Sequence, residues 1–142
     1  DVRAEILLRP RDEAALRTEV REMRQRMRAE LATSAEDSFD LKQGEGGIAD
    51  IEFLVQYLVL RSAKDLGDHL QFTDNIRLLE GMEANAVLPT IQTQVLADAY
   101  RAYRTRVHGL ALQSGAAIVP TTEFADMRAA VTRIWNEIME ER

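Results

Sequence analysis

Residues 48–60 read Ile-Ala-Asp-Ile-Glu-Phe-Leu-Val-Gln-Tyr-Leu-Val-Leu, and this stretch decides the fold. Wound as a helix, it carries apolar side chains on nearly every side, which is typical of a helix at the buried centre of a bundle. The pattern predicts a helix from Ile48 to about Leu66, ended by Gly67. Its polar interruptions and its length, below the roughly 18–20 apolar residues that a bilayer requires, exclude a membrane span.

The rest of the chain predicts further helices and no β-hairpin. Apolar periodicity, prolines and Ser/Thr caps place these helices at about Pro10–Ala32, Thr73–Ala84, Thr90–Ser114, and from Pro120 with Thr121 or Thr122 through Met139. A short extended piece is expected near Phe39–Lys42. The sequence therefore predicts an all-α fold, a bundle of about five main helices forming one domain over residues 1–142. Residues 1–9 read as an uncapped helix, expected to be the end of a preceding helix or linker in a longer protein.

Composition narrows the function classes. The chain has no cysteine and only two histidines, which excludes disulfides, thiolate chemistry and a Cys- or His-based metal centre. A formal net charge of −6 argues against a general nucleic-acid binder. No signal-peptide pattern opens the chain, so we expect a cytoplasmic setting without membrane contact.

The stretch Asp40–Phe53 contains three glycines within four positions, Gly44, Gly46 and Gly47, directly before the central helix. Glycine costs chain entropy, so some feature should require it. One interpretation is an anion cradle, in which backbone N–H groups at the helix start and Lys42 contact phosphate. The other is a tight turn that needs positive φ angles and brings the helix into the core.

Asp50 and Glu52 invite a metal interpretation, which helical geometry disfavours. Positions two apart on a helix point roughly 200° apart, so the two carboxylates cannot readily share one ion. Glu52 instead aligns with Gln56 in a thin polar stripe that needs an arginine, a ligand or a second domain as partner. A partner within the bundle and a functional partner fit this stripe equally well, and we predict neither a metal ligand nor a catalytic residue here.

The first helix carries a row of arginines, Arg17, Arg21, Arg24 and Arg28. The row flanks an apolar stripe formed by Leu16, Val20, Met23, Met27 and Leu31. Four guanidinium groups on one ridge could grip phosphate or an acidic partner. A solvated face is the more ordinary outcome, and it is the expectation here.

The segment Asp40–Phe53, followed by Leu54–Leu60, resembles the bacterial glutamate–ammonia-ligase adenylyltransferase family. Further matching stretches are Ile6–Asp12, Met23–Met27, Asp74–Leu79 and Ala99–Arg104. The resemblance implies a helical domain that follows a polymerase-β-like nucleotidyltransferase domain. Asp50 within Gly-Gly-Ile-Ala-Asp-Ile-Glu-Phe resembles the C-terminal, adenylylating half of that enzyme.

By the same resemblance, the intact enzyme transfers AMP from ATP, with Mg²⁺, to a tyrosine of glutamine synthetase, removes it again, and responds to PII signalling protein. This chain lacks the Gly-Ser motif and paired strand aspartates expected of the nucleotidyltransferase domain, so we expect it to be inactive alone. Its expected role is to wall the active site. The nucleotide-facing candidates are Lys42, Gly44, Gly46 and Gly47. The domain-interface candidates are Asp50, Glu52 and Gln56, of which Glu52 and Gln56 would face the upstream domain. The alternatives are a protein-interaction module that contacts glutamine synthetase or PII, and an independent nucleotide-binding domain.

Overall fold

The computed structural model describes residues 10–31, 37–61, 75–84, 88–113 and 115–140. Its elements, in chain order, are α1 Pro10–Leu31, β1 Ser38–Asp40, α2 Ile48–Arg61, α3 Asn75–Ala84, α4 Thr90–Leu112, β2 Ile118–Pro120 and α5 Ala125–Trp135, which continues into a π-helical turn over Asn136–Glu140. The predicted helix over residues 1–9, the predicted end of the central helix at Leu66 and the predicted cap at Thr73 lie outside these ranges.

The prediction of an all-α helical fold is confirmed. Helix α2 is its centre and packs against α1, α3, α4 and α5. Five of its side chains are fully buried: Ile51, Leu54, Val55, Tyr57 and Leu58. They join a core to which the other helices contribute Leu79, Leu96, Tyr103, Val131 and Met139. Among the helices in the described ranges, none is long and apolar enough to cross a membrane.

A small antiparallel sheet joins two distant parts of the chain, with Phe39 paired to Val119. The extended piece near Phe39 was predicted, whereas its partner was not. The predicted start of the last helix after Pro120 is wrong, because Pro120 ends β2 and the helix begins at Ala125. Proline is tolerated at a strand edge, where its missing N–H breaks no ladder.

The face that α1 turns inward differs from the predicted apolar stripe. Leu16 and Val20 pack on the core, but Met23 and Leu31 remain 45% and 56% exposed. Arg24, expected on a solvated ridge, is 0% exposed. That expectation is wrong for Arg24, because its guanidinium pairs with a buried carboxylate on α2, described below.

Tyr103 provides a test of this core. Its ring packs 5.4 Å from that of Phe124, and its buried hydroxyl has no hydrogen-bond partner in the described part of the chain. Burial raises the pKa of Tyr103 above its ordinary value of about 10, so the folded state retains a proton that the unfolded state loses at high pH.

We therefore expect Tyr103 to contribute stability that is fully present below about pH 10 and falls by about 1.4 kcal/mol per pH unit above it. Tyr103→Phe should match the parent chain at pH 7 and exceed it at pH 11 in free energy of unfolding, measured with urea. Equal differences between parent and Tyr103→Phe at the two pH values would contradict the assignment.

Candidate functional site

The site is organised around a buried ion pair between α1 and α2. The Arg24 Nε donates to Asp50 Oδ1 at 2.6 Å, and Arg28 Nη2 donates to the same oxygen at 2.7 Å. The other oxygen, Oδ2, accepts the Gly46 N–H at 2.8 Å. Asp50 is only 1% exposed, so its charge is balanced inside the protein rather than by water.

The same arginines bind the glycine-rich loop, residues 42–47. The Gln43 carbonyl accepts hydrogen bonds from Arg24 Nη2 at 2.7 Å and Arg28 Nε at 3.4 Å. Arg24 Nη1 also donates to Gln43 Oε1 at 3.2 Å. Burial lowers the pKa of Arg24, while the adjacent Asp50 carboxylate acts in the opposite direction. Arginine remains charged at neutral pH, so the pair fixes the loop against α1.

Backbone hydrogen bonds inside the protein occupy most of the donors that an anion cradle would use. Asp40 Oδ1 accepts the N–H groups of Lys42 and Gln43 at 2.9 and 3.0 Å. The Gly44 N–H donates to the Asp40 carbonyl at 2.8 Å, and the Gly47 N–H donates to the Gly44 carbonyl at 3.0 Å. A phosphate contact through these N–H groups would therefore have to displace existing bonds, whereas the Lys42 side chain is exposed.

Close packing accounts for the glycines. Gly46 has φ +81°, and a Cβ there would lie 2.5 Å from the Arg128 carbonyl oxygen on α5. A Cβ on Gly47 would lie 2.6 Å from the Leu41 carbonyl oxygen, and one on Gly44 would lie 2.5 Å from the Phe39 ring. Of these three glycines, only Gly46 has the positive φ that the tight-turn interpretation requires, whereas close packing accounts for Gly44 and Gly47. Contact between this loop and a nucleotide stays a prediction.

Glu52 points to a different helix from Asp50, as the helical spacing predicts. The Tyr100 hydroxyl on α4 donates to Glu52 Oε2 at 3.1 Å and accepts a hydrogen bond from Asn75 Nδ2 at 3.2 Å. Burial raises the pKa of Tyr100, and the nearby Glu52 carboxylate raises it further. Glu52 is half-buried, whereas Gln56, one turn further along α2, is exposed.

A groove of about 210 Å³ lies between the glycine-rich loop, α2 and α4. Its lining residues are Met27, Lys42, Gln43, Ile48, Ala49, Glu52 and Arg104. The Arg104 guanidinium lies over the Tyr100 ring, 5.9 Å from its centroid. This groove, called the loop groove below, brings together the predicted candidates Lys42 and Glu52. Gly46 and Gly47, within the loop, and Asp50, on α2, are buried.

The described residues do not fit a magnesium site. No group of three or more His, Asp or Glu side chains in the described ranges could hold a metal ion. Both Asp50 oxygens accept hydrogen bonds from the protein, and the pair of arginines already balances that charge. We therefore propose no role in AMP transfer for a metal ion bound by the described residues.

Neither the pairing of Asp50 with Arg24 and Arg28 nor that of Glu52 with Tyr100 was predicted from the sequence. A signal for the first was present: an acid in the first turn of an all-round apolar helix requires a cation, and the arginine row supplies one. Arg104 also lay within a stretch that carries the family resemblance. Spacing within one helix does not reveal a contact between two helices, so the pairing itself was not predictable.

A family model described as GlnD PII-uridylyltransferase matches residues 14–135. Three curated relatives carry the name bifunctional glutamine synthetase adenylyltransferase/adenylyl-removing enzyme. The protein from Pseudomonas aeruginosa is 47% identical over 149 residues, covering 96% of this chain and 15% of the relative. Those from Nitrosococcus oceani and Thioalkalivibrio sulfidiphilus are 49% and 45% identical, and each alignment covers 99% of this chain and 14% of the relative.

The chain thus spans about one seventh of the length of these relatives, a share of 14–15%. The family model covers most of the chain, and the relatives match it almost from end to end, which confirms the resemblance drawn from the central motif. The chain belongs to the GlnD PII-uridylyltransferase family of enzymes and is homologous to a segment of the bifunctional glutamine synthetase adenylyltransferases.

Proposed function

We propose that this chain is the helical region of a glutamine synthetase adenylyltransferase, where it lies beside the nucleotidyltransferase domain and walls the site of AMP transfer. The observation that carries the proposal is the match over 96–99% of the chain to relatives of that name. The substrate protein is then glutamine synthetase, the setting is cytoplasmic, and PII signalling protein is a regulatory partner of the whole enzyme.

The buried Arg24–Asp50 pair supports a positioning role for the glycine-rich loop. It holds Gln43 and Gly46 in place, and so it fixes the backbone from which the Lys42 side chain projects. In the whole enzyme, ATP with Mg²⁺ supplies the AMP group, and the metal is held outside the residues described here. The part of this chain is to place a cation beside the phosphates and to exclude water from one wall.

Glu52 and Gln56 are proposed to meet the nucleotidyltransferase domain. Glu52 retains acceptor capacity after its bond to Tyr100, and Gln56 is exposed on the same side of α2. Asp50 was also predicted as a domain-interface candidate, but its carboxylate faces Arg24 and Arg28 of α1. Its effect on an interface would act through the loop that it holds.

Lys42 gives the direct test in the full-length enzyme. We expect Lys42→Ala to slow AMP transfer about 10–150-fold, because one charge-assisted contact contributes roughly 1.5–3 kcal/mol. Arg101→Ala is the matched control, since Arg101 is an exposed cation on α4 that pairs with Asp98 at 3.8 Å instead of lining the loop groove. Transfer would be measured as labelled AMP on glutamine synthetase, after circular dichroism has shown that both variants fold. Unchanged transfer by Lys42→Ala would remove Lys42 from the site.

A protein-interaction module that contacts glutamine synthetase or PII is the second candidate. Two exposed apolar side chains about two turns apart on α1, Met23 and Leu31, favour it, because they would provide apolar surface for such a partner. Binding of glutamine synthetase to this chain, lost in Met23→Ser with Leu31→Ser and accompanied by no nucleotide binding, would favour this candidate over the first.

A further inference from the structure

We propose that Arg104 and Lys42 form a phosphate-binding subsite in the loop groove, a site that takes the polyphosphate part of a nucleotide. The inference rests on the proposed function and extends it, since it adds a residue on α4 and names the portion of the substrate that this wall contacts.

The dimensions of the groove favour a phosphate group over a whole nucleotide. Pockets that enclose drug-sized ligands measure about 300–1,000 Å³, whereas the loop groove measures about 210 Å³. It is partly open to solvent, and its lining residues come from α1, the glycine-rich loop, α2 and α4. A ligand could therefore insert its phosphates while the remainder extends beyond the groove.

Arg104 differs from the neighbouring arginines of α4 in its charge partner. Arg101 pairs with Asp98 at 3.8 Å. Arg106 contacts both carboxylate oxygens of Glu123, and the shorter distance, from Nε to Oε2, is 2.6 Å. Within the described ranges, Arg104 has no carboxylate partner within 4.0 Å, and neither has Lys42. Two cations without a salt-bridge partner therefore line one concave surface, together with the Glu52 carboxylate.

The guanidinium of Arg104 has a defined support. It lies over the ring of Tyr100, whose hydroxyl is held between Glu52 and Asn75. Such stacking leaves the N–H edges of the guanidinium available, and their fork geometry suits two oxygens of one phosphate. Arg104 would thus be held beside the groove at lower conformational cost than an unsupported surface arginine.

Glu52 lowers the net positive charge of the groove, so replacing it tests whether the groove binds an anion. Two cations and one carboxylate leave one net positive charge, so a multiply charged anion gains more than a single carboxylate. Because Glu52 opposes the anion, Glu52→Gln should bind it more tightly. A purely structural role of Glu52 predicts no such gain.

The test uses the 142-residue chain with inorganic pyrophosphate and, separately, ATP without metal, followed by calorimetry at low salt. We expect saturable binding of both anions, with Kd of about 1 mM or tighter for pyrophosphate. Arg104→Gln and Lys42→Gln should each weaken both about tenfold, Glu52→Gln should tighten both about threefold, and Arg101→Gln should change neither by more than about twofold. If a substitution weakens the binding of ATP and of pyrophosphate by the same factor, the phosphates are the group that the site recognises.

Three results would overturn the subsite: no saturable binding of either anion, equal loss in Arg101→Gln, or ATP affinity unchanged in Arg104→Gln. Its failure is distinguishable from failure of the proposed function. If pyrophosphate does not bind but Lys42→Ala slows AMP transfer in the full-length enzyme, only the subsite is wrong. If pyrophosphate binds as expected and the enzyme is unaffected by Lys42→Ala, the subsite stands and the role in AMP transfer is wrong.

Discussion

The Asp50→Asn variant is expected to lose about 3–5 kcal/mol of unfolding free energy, because it leaves Arg24 buried without its counter-charge. Arg24 is fully buried, its Nε contacts Asp50 Oδ1 at 2.6 Å, and water cannot replace that partner. The loss is large against the roughly 5–15 kcal/mol by which domains are stable. It would be measured by urea unfolding, followed by circular dichroism.

Two controls separate burial from the mere loss of a charge. Asp98→Asn removes a carboxylate from an exposed pair with Arg101, so we expect a change within about 0.5 kcal/mol. Arg24→Leu combined with Asp50→Leu removes both buried charges and should cost less than the sum of the two single variants. A change in Asp50→Asn no larger than that in Asp98→Asn would show that the pair does not hold α1 to the loop.

The second large effect concerns Gly46. We expect Gly46→Ala to lower the unfolding free energy by 2 kcal/mol or more, since a left-handed conformation costs an L-residue roughly 1–2 kcal/mol and the new Cβ would also lie 2.5 Å from the Arg128 carbonyl oxygen. The Arg128 carbonyl is part of the backbone, so it cannot rotate away from the new Cβ as a side chain could. The loop and α5 would have to separate, which also strains the Gly46 N–H bond to Asp50.

Gly109 provides the matched glycine control. It lies inside α4, and a Cβ there would meet nothing within 4 Å. Alanine in a helix interior is more favourable than glycine by about 0.5–1 kcal/mol, so Gly109→Ala should raise stability. Thermal and urea unfolding of the two variants should therefore shift in opposite directions. A shift of the same sign in both would contradict the account of the loop.

Sequence patterns were sufficient for the helices but not for their mutual orientation. The all-round apolar character of residues 48–60 placed α2 at the centre correctly, because burial on every side leaves a direct imprint on composition. The last helix was predicted to start too early, since strand pairing between Phe39 and Val119 depends on residues far apart in the chain. Local propensity contains no such information.

The inward face of α1 shows a second limit. Apolar spacing predicted that Met23 and Leu31 pack inside, but they are exposed and Arg24 is buried. A buried carboxylate on a neighbouring helix changed which side of α1 turns inward, and no single-helix periodicity encodes that partner. The glycines were predicted to serve either a tight turn or a ligand. Their close approach to Arg128 and Leu41 supplies the physical reason for the turn, and the ligand role stays a prediction.

We propose that this chain supplies one wall of an adenylyltransferase and not its complete chemistry. The most direct measurement compares incorporation of labelled AMP into glutamine synthetase by the 142-residue chain alone and by the full-length enzyme, at equal molar concentration with ATP and Mg²⁺. We expect the full-length enzyme to label glutamine synthetase and the chain alone to give no labelling above background. Labelling of glutamine synthetase by the isolated chain would contradict it.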